Sequence, residues 1–354
     1  MKKLFLQLII ALFLFIYSHF SFAGDWHKIV ISSDGFAYLN LAIKNRNKDD
    51  AYFHSIKYNL NNKLQIKYEI EGMGIKDKCG SRPDSLDSLS SKIALLAGCD
   101  SSSKRAQGKY YSGIMIVDAK SNKEIAFFNY TRLYSFSPNG DAIVFFEGPV
   151  GPYQGGPLPP KDEMGLWLYD FNRKTRKKID TLGLGVMDLN WSEHDGNIYV
   201  YGNKIYRYNV KSGKTEIVPY KGIYFSPDGK YYIFAPSEGG ASIYRTEDNQ
   251  LMYEWERMIL GKSTSKYAEL RFRFWSRQLN ALIVSHGQDW QNVIFDVNKG
   301  KIIGEFKGFV IGTNSNGSLA AINPMTTDGK WFDQSQVEIL NLQEVVSKYQ
   351  GGKH

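Results

Sequence analysis

Cysteine and histidine are scarce in this chain of 354 residues, which contains 2 cysteines and 6 histidines. Neither cysteine has the closely spaced partner that a zinc site needs, and no G-x-S-x-G motif marks an activated serine. The acidic pairs Asp49/Asp50 and Asp84/Asp87 lack the alternating ligands of an EF-hand loop. The sequence therefore predicts no metal site, no cofactor and no catalytic residue, and a non-enzymatic role is favoured while an activity stays open.

Long apolar runs are also lacking, apart from one at residues 4–17. This run follows two lysines and precedes Ser-Phe-Ala at 21–23, the pattern of a secretory signal peptide. We expect a signal peptide at 1–23 and a single mature domain at 24–354, located in a bacterial periplasm or secreted. Because the run is slightly long, an uncleaved N-terminal membrane anchor is the alternative. No second segment predicts a membrane span in the mature chain.

The excess of positive charge is small. The formal net charge is +8, and it falls to about +6 without the two lysines of the leader. This balance favours an anionic partner, such as an acidic envelope protein or an anionic glycan or glycolipid. It is too weak for a nucleic-acid-binding surface, and export also argues against nucleic acid.

A hairpin pattern that recurs seven times is the strongest positive feature of the sequence. Each copy is an alternating apolar strand that ends in Asp, Asn or once Thr and runs into a short polar turn. The marked residues are Asn59, Asp118, Asp170, Asn209, Thr246, Asp296 and Asn341. They recur about every 47 residues, and a period of 40 to 50 with several strands per unit indicates a β-propeller. We predict an all-β chain with seven four-stranded antiparallel blades. A six-bladed ring, in which the first or last unit only closes the ring, is the alternative.

A second motif precedes several of these hairpins. It reads Phe-Ser-Pro-Asn-Gly at 136–140, Phe-Ser-Pro-Asp-Gly at 225–229, and more loosely Trp-Ser-Glu-His-Asp-Gly at 191–196. Proline, Asp or Asn, and glycine suit the successive positions of a tight turn between antiparallel strands. The motif resembles the WD40-like repeat of TolB-type propellers, which implies a periplasmic β-propeller. We expect no counterpart of that family's N-terminal α/β domain, because the first predicted blade begins right after the leader.

The variation in loop length predicts where binding occurs. The connections between strands b and c and between blades are long, and both kinds emerge at one face of a propeller. Long loops on a rigid scaffold commonly carry binding sites. We predict a basic and aromatic binding face there, with the candidate residues Lys104, Arg105, Lys109, Tyr110, Tyr111, Tyr153, His286, Asp289, Trp290 and Trp331.

Cys79 and Cys99 predict one disulfide, because an even number of cysteines in an oxidising compartment is normally paired. Two buried free thiols are the alternative. We expect both cysteines in long loops of the binding face, where the bond would join two loops.

Together these features predict an exported binding or scaffolding module for an envelope or extracellular partner. The alternative is a propeller enzyme of the lactonase, lyase or glycan-acting type with its site at the central channel. The ligand and the oligomeric state are not predicted by the sequence.

Overall fold

The structure is a computed structural model, and up to residue 84 only the backbone is described. It describes residues 30–31, 36–44, 51–59, 65–68, 79–86, 91–99, 102, 111–121, 123–148, 161–234, 241–254, 271–286, 291–314, 316–323 and 338–352. The predicted signal peptide lies outside these residues.

Six sheets of the described chain are four-stranded, antiparallel and built from consecutive strands. Blade 1 consists of β1 (Val30–Ile31), β2 (Phe36–Lys44), β3 (Ala51–Asn59) and β4 (Gln65–Tyr68). Blade 2 consists of β5 (Cys79–Leu86), β6 (Lys92–Cys99), β7 (Tyr111–Asp118) and β8 (Glu124–Asn129). Blade 3 consists of β9 (Thr131–Phe136), β10 (Ala142–Glu147), β11 (Gly165–Asp170) and β12 (Thr175–Ile179).

The next three blades repeat this plan. Blade 4 consists of β13 (Asp188–Trp191), β14 (Ile198–Tyr201), β15 (Ile205–Asn209) and β16 (Lys214–Ile217). Blade 5 consists of β17 (Tyr224–Phe225), β18 (Tyr231–Phe234), β19 (Ser242–Arg245) and β20 (Leu251–Glu254). Blade 6 consists of β21 (Arg271–Ser276), β22 (Ala281–His286), β23 (Gln291–Asp296) and β24 (Lys301–Lys307).

The last repeat unit departs from the plan. It forms a three-stranded sheet of β25 (Phe309–Thr313), β26 (Leu319–Asn323) and β27 (Glu338–Asn341), and the helix α1 (Leu342–Gly351) comes directly after it. The prediction of seven four-stranded blades was therefore wrong, and the six four-stranded blades of the described residues match the six-blade alternative. The physical reason is local, since the chain after β27 turns into a helix instead of a fourth strand.

The first strands of the sheets lie against one another, as the inner strands of a propeller do. β1 contacts both β5 and β25, and β9 contacts β13. The three-stranded sheet thus lies beside blade 1, where it brings the end of the ring to its beginning. The all-β propeller with four-stranded antiparallel blades is confirmed by this arrangement.

The core lies between neighbouring blades and results from the two-residue period of the strands. In β10, Ile143 and Phe145 pack on Ile114 and Ile116 of blade 2. The intervening Val144 packs instead on blade 4. Blade 3 therefore buries both of its faces, which explains why its second strand, Ala-Ile-Val-Phe-Phe-Glu, is rich in apolar residues.

The predicted hairpin positions are equivalent in the structure, because each ends or directly follows the third strand of its sheet. The side chains of Asp118, Asp170, Asn209 and Asp296 cap the following turn. The Asp118 carboxylate accepts from the backbone N–H groups of Lys120 and Ser121, at 3.1 and 2.6 Å. Asn209 accepts in the same way from Ser212, at 2.8 Å. These bonds explain why Asp and Asn occupy this position.

Asn341 makes the same kind of bond but starts a helix. Its side chain accepts from the N–H groups of Gln343 and Glu344, which makes it the N-cap of α1. Leu342 and Val346 of α1 then pack with Ile303 and Phe306 of β24. The helix therefore covers part of blade 6.

Candidate functional site

One end of every four-stranded blade carries the starts of the first and third strands and the ends of the second and fourth. In blade 3 the register places Glu147 opposite both Thr131 and Gly165, and Leu166 opposite Ile179. We call this end the loop face. The connections that leave it include residues 45–50, 69–78, 100–110, 255–270 and 287–290.

Most of the predicted binding residues lie outside the described part of the chain. These are Lys104, Arg105, Lys109, Tyr110, Tyr153, Asp289, Trp290 and Trp331. The backbone of Tyr111 begins β7 and that of His286 ends β22, so both positions are at the loop face. The grouping of these residues into one site stays a prediction.

Cys79 and Cys99 lie at strand ends rather than inside loops, which corrects their predicted placement. Cys79 begins β5, Cys99 ends β6, and the two are paired directly across the strands at the loop face. Opposed residues of antiparallel strands have Cα atoms about 4.5 to 5.5 Å apart, a range that suits a disulfide. The register thus favours the predicted bond, which stays a prediction.

A buried carboxyl group lies at the loop face of blade 3. The Glu147 side chain is only 9% exposed, and Arg176 lies 3.3 Å away across the blade. Burial raises the pKa of Glu147 to about 7, against the opposing effect of Arg176. The ionisation of Glu147 therefore changes near neutral pH.

The surroundings of Glu147 are aromatic and basic. The Arg176 guanidinium lies 4.3 Å from the ring centroid of Trp167, and the Lys178 ammonium lies 5.3 Å from it. The Trp167 indole N–H donates to the carbonyl of Glu163, at 2.9 Å. Lys178 donates to the carbonyl of Asp162, at 3.1 Å. These contacts fix the end of the connection between β10 and β11 against the blade.

A second polar pair lies on the inner strands, where β13 and β17 begin at the loop face. The Tyr224 hydroxyl donates to one carboxylate oxygen of Asp188, and the Leu189 backbone N–H donates to the other, at 2.8 Å. Burial raises the pKa of Asp188, and the bond from Tyr224 acts in the opposite direction. The pKa of Tyr224 is also raised, by burial and then by the Asp188 charge.

This pair is one link in a series of hydrogen bonds between inner strands. The hydroxyls of Ser85 and Tyr134 are 2.7 Å apart and join blades 2 and 3. The backbone N–H of Trp191 donates to the Ser135 hydroxyl, at 3.0 Å, and joins blades 3 and 4. The Trp275 indole N–H donates to the Tyr224 carbonyl, at 3.3 Å, and joins blades 5 and 6. Polar side chains of the inner strands therefore hold neighbouring blades together.

Sequence reasoning did not find Glu147, Asp188 or Tyr224. The available signal for Glu147 was an acidic residue at the end of the apolar run Ala-Ile-Val-Phe-Phe. Asp188 and Tyr224 come from different repeat units, and no spacing along the chain predicts that they meet.

Neither a metal centre nor a membrane-spanning helix is found among the residues that the structure describes. No group of three or more His, Cys, Asp or Glu side chains in this part of the chain is arranged to hold a metal ion. The helices in the same part are too short or too polar to cross a bilayer.

Comparisons with known proteins give a similarity of structure. No protein-family model matches the chain, and no curated protein matches its sequence. Among solved structures, the crystal structure of TolB from Acinetobacter baumannii matches with a TM-score of 0.42 and 15% sequence identity. The match covers 77% of this chain and 64% of the TolB chain, so the chain spans less than two thirds of that protein's length. The β-propeller fold itself is established by the order of the sheets described above.

Proposed function

We propose that this protein is an exported β-propeller that binds an envelope or extracellular partner through its loop face. The partner is anionic, either an acidic protein or an anionic glycan or glycolipid. The observation that carries the proposal is the register of blade 3, which brings Thr131, Glu147 and Gly165 to one end of the sheet. The same register in the other blades gathers the long connections at that end.

The chemistry of these connections supports an anionic partner. The connection at 100–110 contains Lys104, Arg105 and Lys109 and ends in Tyr110, which is followed by Tyr111 at the start of β7. Arginine and lysine bind phosphate and carboxylate groups, and exposed aromatic rings stack on sugars. A rigid ring of blades fixes the roots of these connections, so less entropy is lost on binding.

Export to the periplasm or beyond is the second part of the proposal. It is supported by the two lysines, the apolar run at 4–17 and the small residues at 21–23. Cleavage would release a mature chain that begins at Gly24. A retained leader would instead anchor the propeller to the membrane.

An enzyme with its site at the central channel is the second candidate, and Asp188 is the observation that bears on it. This residue is a carboxyl on an inner strand with a raised pKa, as a general acid requires. However, its two oxygens already accept hydrogen bonds from Leu189 and Tyr224. This arrangement fits a structural role better than a catalytic one, and we therefore favour the binding function.

Site-specific photocrosslinking tests the binding function. A photoreactive residue is placed at Lys109 in the loop face or, as a control, at Lys211 in the turn after β15, at the opposite end of blade 4. Irradiation of intact cells should give a crosslinked product from position 109 and none from position 211. A product from position 211 alone would place binding on the opposite end of the propeller.

A further inference from the structure

The outer strand of blade 3 carries a concentration of positive charge. Between residues 172 and 178 every residue is exposed and none is acidic. The five cations of this segment are Arg173, Lys174, Arg176, Lys177 and Lys178. We call this segment the basic edge.

Four of the other five fourth strands are different, and β4 of blade 1, which reads Gln-Ile-Lys-Tyr, carries a single lysine. β8, β16, β20 and β24 each contain a glutamate, whereas β12 reads Thr-Arg-Lys-Lys-Ile. Charged residues on an edge strand protect it from unwanted pairing. Since those four strands carry mixed or acidic charge, protection alone does not require five cations on one edge.

Aromatic rings hold the cations on both sides of the strand. Arg176 and Lys178 lie over Trp167 on one side of the blade, at 4.3 and 5.3 Å from its ring centroid. Lys177 points to the other side, where its ammonium lies 5.8 Å from the Tyr208 ring of blade 4. Side chains that are already positioned lose less rotamer entropy when they bind.

Two of the five cations form ion pairs, and Glu147 also acts electrostatically on Lys178. Arg176 pairs with Glu147 at 3.3 Å, and Arg173 lies 3.8 Å from Asp170. Among the described residues, no carboxylate lies within ion-pair distance of Lys174, Lys177 or Lys178. The basic edge is therefore available to an external anion.

The backbone of β12 is open on one side. It is the last strand of its sheet and pairs with β11 alone in the part of the chain that the structure describes. The outward N–H and C=O groups of such a strand can bind an extended peptide as an additional strand. The alternating side chains of that peptide would then lie beside those of β12.

We propose that the basic edge binds an acidic, extended segment of a partner protein, which adds to blade 3 as a fifth strand. The carboxylates of the segment pair with Lys177 and Lys178 and with the exposed parts of Arg176 and Lys174. This surface lies on the outer side of one blade and goes beyond the proposed function, which concerns the loop face.

Fluorescence anisotropy with a labelled twelve-residue peptide of four Glu-Glu-Thr repeats tests this proposal on the mature protein, because an added strand of this sequence carries glutamates on both of its faces. The variant K174A/K177A/K178A should bind the peptide at least about tenfold more weakly, because three exposed charge pairs are lost. The matched control is K299A/K301A/K307A, which removes three exposed lysines at the outer strand of blade 6 and should change the affinity less than about twofold. If the first variant melts at a lower temperature, the glutamine version at the same three positions replaces it.

A second peptide separates strand addition from charge attraction. It has the same glutamates but proline in place of threonine, so it loses backbone donors and cannot pair as a strand. It should bind at least about tenfold more weakly than the threonine peptide. Equal affinity of the two peptides would overturn strand addition.

Two further results would overturn the proposal and leave the loop-face function untouched. One is a loss of peptide binding in K104A/R105A/K109A with full binding in K174A/K177A/K178A. The other is that the protein binds no peptide but binds vesicles of phosphatidylglycerol, and that K174A/K177A/K178A abolishes this vesicle binding.

Discussion

The Tyr224 hydroxyl donates a hydrogen bond of 2.5 Å to the Asp188 carboxylate and so joins the inner strands of two neighbouring blades. Removing the donor in Tyr224→Phe leaves a half-buried carboxylate with one partner fewer. We expect the free energy of unfolding to fall by about 1.5 to 3 kcal/mol, the usual range for a hydrogen bond to a charged group. Chemical denaturation at neutral pH measures this change.

The pH dependence of this loss is set by the Asp188 pKa, which burial raises and the bond from Tyr224 lowers. Without that bond the pKa rises further, so the penalty grows as the carboxyl ionises. Tyr224→Phe should therefore lower the free energy of unfolding more at pH 7 than at pH 4. A double-mutant cycle with Asp188→Asn measures the coupling energy between Tyr224 and Asp188. If Tyr224→Phe lowered the free energy of unfolding equally with and without Asp188→Asn, the hydrogen bond would not be the cause of the loss.

Glu147 gives the propeller a second pH-dependent contribution. Its pKa of about 7 in the folded state lies above the ordinary value of 4.5, so the folded state holds the proton more tightly than the unfolded state. Its contribution to stability is present at low pH and is lost as the pH rises from about 4.5 through 7. Glu147→Gln removes the ionisation, so its melting temperature relative to the wild type should be higher at pH 8 than at pH 5.

Glu216→Gln is the matched control for this measurement. Glu216 also pairs with an arginine, Arg207, but its side chain is 54% exposed. The difference in melting temperature between Glu216→Gln and the wild type should change less from pH 5 to pH 8 than the corresponding difference for Glu147→Gln. If Glu147→Gln loses more stability at pH 8 than at pH 5, the Arg176 pair outweighs burial and the interpretation is wrong.

Gly229 lies in the Phe-Ser-Pro-Asp-Gly turn with a φ of +70°, and a Cβ atom there would overlap the His194 ring of the neighbouring blade. Gly229→Ala should therefore lower the free energy of unfolding by more than the roughly 1 to 2 kcal/mol expected for a left-handed alanine alone. Gly196→Ala is the control, because its φ is +69° and no atom lies within 4 Å of its Cβ position. In thermal melts, Gly229→Ala should lower the melting temperature more than Gly196→Ala does. Adding His194→Ala should remove most of this difference.

The repeat pattern of the sequence predicts the third strands well but not the element that comes after each of them. Asp118 and Asn209 cap hairpin turns, whereas Asn341 makes equivalent bonds at the start of a helix. The same side-chain chemistry serves both structures, so the motif alone does not distinguish a seventh four-stranded blade from a three-stranded sheet.

Thr246 shows the opposite case, a weak copy of the motif that still lies in a hairpin. Its buried hydroxyl has no hydrogen-bond partner in the described structure, and Asp248 caps the turn by accepting from Gln250, at 3.1 Å. The backbone bond from Thr246 to Lys230, at 2.9 Å, keeps the strand end in place. The position is therefore defined by strand pairing rather than by the side chain.

The candidate site was less predictable than the fold, because its contacts join distant parts of the chain. Glu147 and Arg176 come from different strands, and Asp188 and Tyr224 from different blades. Cys79 and Cys99 are also brought together by strand register, at strand ends rather than in the loops where the sequence placed them. The contacts made by an individual side chain depend on that register and not on composition.

The predicted export and disulfide are measured together by intact mass. The protein isolated from the cell envelope should begin at Gly24 and gain about 2 Da on reduction, as one Cys79–Cys99 bond opens. A count of two free thiols in the exported, unreduced protein would contradict the disulfide. A mass that retains residues 1–23 would favour the membrane anchor.

Binding through the loop face underlies the proposed function, and quantitative capture of envelope material on the immobilised mature protein is its sharpest test. The variant K104A/R105A/K109A is compared with K123A/K211A/K299A, which changes three exposed lysines in turns at the opposite end of the blades. Both variants should change stability by less than about 0.5 kcal/mol. We predict that the loop-face variant captures at least about fivefold less partner than the wild type, and that the control captures the same amount as the wild type. Capture by the wild type should decrease as the salt concentration rises, because salt screens the charges. Loss of capture in the control with full capture by the loop-face variant would show that the partner binds at the opposite end of the propeller.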